Sequence, residues 1–202
     1  MESYYEIETT CKRAARASGF SWGVAEEIGK AVRSLEMIGL PGIKTFHDYL
    51  AYSKKNKLEN LSLINSGENK SENIFCPIKT SVAILDDCKK LFLKNKDIRF
   101  SKIAYPLLLI PTLNRVSNII GQKIQLSFDE INIVLNYNQS VVINTQGPFP
   151  SLVDSISIKS IDGQPSYEKN QYNDLYKLSL ETFVEESEGK LSGAGAGLTD
   201  ND

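Results

Sequence analysis

The chain has 202 residues, 41% apolar and 24% charged, which is ordinary globular usage with enough length to bury a core. Lys and Arg number 23 against 25 Asp and Glu, a formal net charge of −2, and so even a balance argues against bulk attraction to nucleic acid, which needs a positive footprint, while leaving a local patch open. The most apolar stretch, Ile103 to Ile110, falls far short of the roughly 20 residues of a bilayer span and contains Pro106, so no membrane is expected as a partner.

The start Met1-Glu2-Ser3-Tyr4-Tyr5-Glu6 is acidic and lacks an apolar signal core. The cysteines Cys11, Cys76 and Cys88 have no CxxC spacing and suit buried thiols in a reducing compartment. Both observations point to the cytoplasm. One domain over residues 1–202 is expected, with a helical part at 1–55 and a Gly-rich acidic tail at 190–202.

Ser3 and Glu6 form a capping-box pattern, and Tyr4, Ile7, Cys11, Ala14 and Ala15 follow on one helical face up to Gly19, a left-handed C-cap. Ser21 caps a second helix with Val24, Ile28, Ala31, Val32, Leu35 and Ile38 on its apolar face, stopped by Gly39 and Pro41. Gly29 in its middle costs about 1 kcal/mol against Ala, which a close approach of the two helices would offset. A third helix is expected from Thr45 to about Lys55, with Phe46, Tyr49 and Leu50 inward.

Periodicity weakens from Asn56 to Asn73, and the polar run Asn65 to Ser71 reads as a loop or hairpin tip. Pro77 opens a helix with Val82, Leu85, Cys88 and Leu91 or Phe92 inward, ending near Asn95. A strand at Ile98 to Ile103 precedes a helix over Leu107 to Gly121, carrying Leu113, Val116, Ile119 and Ile120. Lys123 to Phe128, Ile131 to Tyr137 and Ser140 to Asn144 alternate apolar and polar, and the two-residue linkers Asp129-Glu130 and Asn138-Gln139 predict an antiparallel meander. Val153 to Ile161 alternates again, and a last helix is expected over Tyr172 to Val184. Helices first and a meander later give an α+β fold, an N-terminal helical hairpin and further helices packed on the meander.

Several kinds of chemistry lose ground. His47, the sole histidine, sits beside Asp48 on a helix face expected to be solvated, and one His with three scattered Cys does not make a zinc site. No nucleotide-binding motif is present. The tail glycines, Gly195 and Gly197 among them, lead into Asp200, Asn201 and Asp202, whose charge repels phosphate. Those acids would instead attract a guanidinium, an amine or a divalent cation at Asp200 and Asp202. The bland alternative is a terminus without enough apolar area to offset ordering.

A second constellation gathers at the hairpin turn. Trp22 stands between glycines at a helix start with Glu26 and Glu27 one turn on, either plugging the hairpin end beside solvated glutamates or rimming a pocket with an acid/base carboxylate. Cys76 before Pro77 is either a small buried residue or a thiolate at a helix N-terminus. Arg13 and Arg16 form a basic helix face able to dock the acidic tail.

The run from Lys12 to Glu27, KRAARASGFSWGVAEE, with Ala31-Val32-Arg33 beyond it, resembles the start of the bacterial family called domain of unknown function 3726. Cys76-Pro77, Tyr105 to Leu109, Glu181 to Val184 and Gly193 to Asp202 resemble its middle and end, with departures at the Lys/Asn-rich loop near residues 66–73 and at Glu185-Glu186. The resemblance implies a bacterial cytoplasmic protein and carries no activity, cofactor or site residue with it.

Two functions remain. The first is a small-molecule metabolic enzyme or enzyme subunit, with Glu26, Glu27 or Cys76 as reacting groups and Trp22, Arg16, Gly195, Gly197, Asp200, Asn201 and Asp202 binding substrate. The alternative is a non-catalytic interaction or assembly protein that docks on another chain through its tail, in a homo- or hetero-oligomer.

Overall fold

The computed structural model describes residues 2–61, 63–92, 97–136, 141–144, 148–161 and 168–180. The chain divides into two units, Met1–Gly163 and Gln164–Asp202. Three helices open the first unit. Helix α1, Tyr4–Ala17, starts with the expected capping box: the Glu6 backbone N–H donates to Ser3 Oγ at 3.2 Å and the Ser3 N–H donates to Glu6 Oε2 at 2.8 Å. Gly19, at φ 96°, turns the chain into α2, Trp22–Met37, capped by Ser21. Helix α3 runs over Gly42–Ser53 and starts three residues before the expected Thr45, because Gly42 lies against α2, where an added Cβ would sit 2.7 Å from the Val32 carbonyl oxygen.

Three short strands follow. Strands β1 (Leu58–Glu59), β2 (Gly67–Asn69) and β3 (Ile74–Phe75) precede α4, Pro77–Phe92. Strand β2 corrects the reading of residues 65–71 as a loop or hairpin tip: Gly67–Asn69 pairs in parallel with Ile98–Phe100. Polar side chains order it without apolar periodicity. Asn69, 5% exposed, accepts from the Asn65 N–H at 2.9 Å and donates to the carbonyls of Asn65 and Arg99 at 3.0 and 3.2 Å. On α4 the buried stripe runs through Ser81, Ile84, Cys88 and Leu91, with Val82 and Leu85 half-buried at its margin.

Strand β4, Ile98–Ala104, ends at Tyr105, whose φ of 45° is left-handed and whose N–H donates to the Ser151 carbonyl at 2.7 Å. The expected helix over Leu107 to Gly121 resolves into a 3-10 turn, Pro106–Leu109, and α5, Ile110–Ile120, with Pro111 in its first turn, where a missing N–H costs nothing. Gly121 caps it at φ 66°.

Strands β5 (Lys123–Phe128), β6 (Ile131–Leu135) and β7 (Val141–Asn144) form the expected antiparallel meander. The last strand of the unit, β8 (Leu152–Ile161), lies between β4 and β5 and pairs antiparallel with both. The sheet order is β1-β3-β4-β8-β5-β6-β7, with β2 also on β4. It is mixed, since β1, β2 and β3 pair in parallel. Leu126 faces Ile133 and Ile158 across the meander, all three fully buried, each side chain contributing roughly 1.5–3 kcal/mol of transfer free energy.

Helices α4 and α5 contact the sheet, α2 packs on α5, and α1 packs on α2. Buried Ser117 ties α5 to the sheet, its Oγ donating to the carbonyls of Gln122 at 2.5 Å and Leu135 at 3.2 Å. The fold is thus α+β, with helices on the sheet. In the second unit α6 spans Lys169–Leu180, starting before the expected Tyr172; residues 181–184 of that expectation lie outside the described residues. Among the described residues no helix is long and apolar enough to cross a membrane.

Candidate functional site

Helix α2 has two working faces. Towards α1 it is sealed: a Cβ added at Gly29 would lie 2.6 Å from the Glu8 carbonyl oxygen and 3.1 Å from Lys12 Cβ. The loss of helix propensity at Gly29 is therefore offset by close approach of the two backbones. Towards α5 the helix stands away and leaves a cleft of about 490 Å³. Its polar lining comes from Glu27, Lys30, Arg33 and Ser34 of α2 and from Asn114 and Arg115 of α5. A recess of about 30 Å³ adjoins it, walled by Ile28, Phe46, Ile78, Val82 and Leu108, with Ser81 of α4 in its lining. Glu27, Ala31 and Thr112 line both.

Glu27 is the carboxylate at that junction. Arg115 Nη1 donates to its Oε2 at 2.5 Å, and Lys30 Nζ stands 3.6 Å from its Oε1. Lys30 also pairs with Glu26 at 2.9 Å, the i,i+4 spacing placing both on one helix face. The hydrogen bond and charge of Lys30 hold the Glu26 carboxyl below its ordinary pKa, and Glu26 in turn raises that of Lys30. Arg33 reaches away from the cleft to Glu8 of α1, Nη1 to Oε2 at 2.6 Å. The lining carries the cations Lys30, Arg33 and Arg115 with the carboxylate of Glu27, while Glu26 and Glu8, outside the lining, pair with Lys30 and Arg33. The side chains of Glu27, Lys30 and Arg115 are 41–54% exposed, so their ion pairs are worth at most about 1 kcal/mol each and an entering anion can rearrange them.

The other residues singled out by sequence lie elsewhere. Trp22 is 62% exposed, with the Arg16 guanidinium 5.5 Å from its ring centroid. Arg16 also donates to the Phe20 carbonyl at 3.0 Å, closing the turn between α1 and α2. Neither residue, nor Glu26, lines the cleft. Arg13 is exposed. Cys76 is 3% exposed, its Sγ 3.1 Å from Tyr49 Oη and 3.5 Å from the Lys79 N–H, so the sulfur caps α4. Burial, and after it the neighbouring Cys76, push the Tyr49 phenol upward. His47, with an 80% exposed side chain, contacts Asp48 at 3.0 Å. Lys44 first, and then His47, keep the Asp48 carboxyl low. Gly195, Gly197, Asp200, Asn201 and Asp202 lie outside the described residues, and with them the suggested cation position. Among the described residues no three His, Cys, Asp or Glu side chains gather as metal ligands.

Arg115, Thr112 and Ser81 escaped the sequence reading. Arg115 had one usable signal, as the only charged residue of α5. Ser81 had none, since a serine among helix positions looks like any other polar residue.

Neither the curated proteins nor the solved structures include a match to the chain. A family model does match, over residues 2–76, which span α1 to β3 and supply the α2 wall of the cleft, while α4 and α5 follow the matched segment. Over that segment the chain is similar to the family described as protein of unknown function (DUF3726).

Proposed function

We propose that the chain is a small-molecule enzyme, or a subunit of one, that takes an anionic metabolite into the α2–α5 cleft with Glu27 as its acid/base carboxylate. One observation carries this reading: Glu27 lies where the cleft meets the recess, held between Lys30 and Arg115. Two donors on one carboxylate orient it for proton transfer, and the same cations neutralise an anion bound beside it. The three free, buried thiols Cys11, Cys76 and Cys88 support a reducing setting such as the cytoplasm.

The test is a thermal-shift screen of carboxylated and phosphorylated metabolites with amines as controls, run on wild type and on Arg115→Gln. A ligand at 100 times its dissociation constant adds about 2.7 kcal/mol, a rise of roughly 5–10 °C in a chain of this size. The rise should occur with anions and shrink in Arg115→Gln. A response confined to amines, or one indifferent to Arg115→Gln, sinks the proposal.

A further inference from the structure

The recess beside the cleft is lined by Ser81, whose hydroxyl, like that of its neighbour Thr80 on α4, is buried without a partner among the described residues, in contrast to several other helical hydroxyls. Ser18, Ser34 and Thr45 each donate to the carbonyl four residues back, at 2.9, 2.9 and 2.6 Å. Ser81 is 6% exposed, and its Oγ has no hydrogen-bond partner among the described residues. A buried hydroxyl left so is unfavourable unless something else meets it. What surrounds it is apolar: Ile28, Phe46, Ile78 and Leu108 are 3–6% exposed and wall the recess. A water needs two to four polar partners, and these walls supply few. Carbon suits the walls, and a single polar atom suits Ser81.

We infer that the ligand of the cleft is a small organic acid whose apolar arm, about two heavy atoms deep in the recess, ends in a hydroxyl or carbonyl that hydrogen-bonds Ser81. The inference rests on the cleft being the ligand site and deepens it by naming the substrate class. The acid group meets Arg115 and Lys30, the arm passes the rim made by Ala31 and Thr112, and its terminal atom pairs with the Ser81 hydroxyl, which can donate or accept. Glu27 on the rim then stands beside the carbons joining head to arm, where an acid/base group acts.

The experiment titrates the full chain with straight-chain acids from propanoate to hexanoate and with their ω-hydroxy counterparts, followed by NMR shift changes. At one chain length the hydroxy acid should bind at least fivefold more tightly than its parent. That gap should close in Ser81→Ala, while Arg115→Gln weakens both partners of the pair. Ser81→Ala removes only an unpaired hydroxyl, and far-UV circular dichroism checks that it folds. If the acids bind and depend on Arg115 but the hydroxyl brings no advantage, or if Ser81→Ala leaves the gap open, the inference fails and the cleft reading stands. If no acid of the series binds, the inference fails and the metabolite screen decides the cleft reading. If binding occurs but ignores Arg115→Gln, both fail.

Discussion

The two faces of α2 are built to opposite rules. Against α1 the backbones approach so closely that Gly29 leaves no room for a methyl group. Against α5 the contact opens into a cleft of about 490 Å³, lined by cations and a carboxylate that stay half in solvent. A helix anchored rigidly on one side can present side chains on the other without contributing much packing there. Stability is thus concentrated in one seam, and the side chains of the other can be spent on recognition.

The sharpest way to break that contrast is to swap a glycine for alanine at two places in the same helix. Gly29→Ala gains about 1 kcal/mol of helix propensity but forces the α1 backbone away, and overpacking should leave a net loss on the order of 2 kcal/mol. Gly23→Ala meets nothing within 4 Å of its new Cβ and should be neutral or slightly stabilising. Thermal melts of the two variants should move in different directions; a shared sign would refute the sealed seam. The seam also has a chemical reporter. Burial, and next the charge of Glu36, push the Cys11 thiol up to about 11, so at pH 8 it should react slowly with an aromatic disulfide in wild type and faster in Gly29→Ala.

A smaller effect is expected at the start of the seam. Ser3→Ala removes the capping box of α1 and should cost about 1 kcal/mol. The Ser3 backbone N–H, and after it the Ser3 hydroxyl, hold the Glu6 carboxyl below its ordinary value of 4.5. A carboxyl lowered in the folded state stabilises above its unfolded pKa, and that contribution is lost as pH falls through the folded value. Ser3→Ala keeps the backbone N–H, so wild type should lose in acid only the part of its advantage carried by the Ser3 hydroxyl, and an advantage constant from pH 7 to pH 3 would rule out Glu6 as the partner of that hydroxyl.

The smallest change in stability belongs to the cleft. Glu27→Gln breaks exposed ion pairs only and should shift unfolding by less than about 0.5 kcal/mol in urea. A loss above 2 kcal/mol would make Glu27 a structural residue and remove the basis of the contrast.

How much of this was legible in sequence follows the same division. Contacts within or between neighbouring helices showed themselves: the Ser3–Glu6 box and the close approach at Gly29 rest on a spacing of three residues or on one backbone-sensitive residue. The meander was legible because alternation with a two-residue turn at Asp129-Glu130 leaves little choice of register. Strand β2 was not, because Asn69 orders it through polar bonds to Asn65 and Arg99, and such bonds have no period. The cleft was invisible for a related reason: Glu27, Ser81 and Arg115 come from three helices, and nothing local in any of them announces the others. Trp22 stands out in the sequence as the sole tryptophan, yet it lies open beside Arg16.

Strand β4 meets β8 along one side and, on the other, only the three residues of β2 and a single bridge from β3. Beyond β3 the sheet closes with β1, two residues long. Edges this brief offer too few free amide groups to template a foreign strand, and Glu68 and Lys70 put charge beside one of them. The parallel half of the sheet, built from fragments too small to look like strands, thereby guards its own side of the sheet against pairing with a foreign strand.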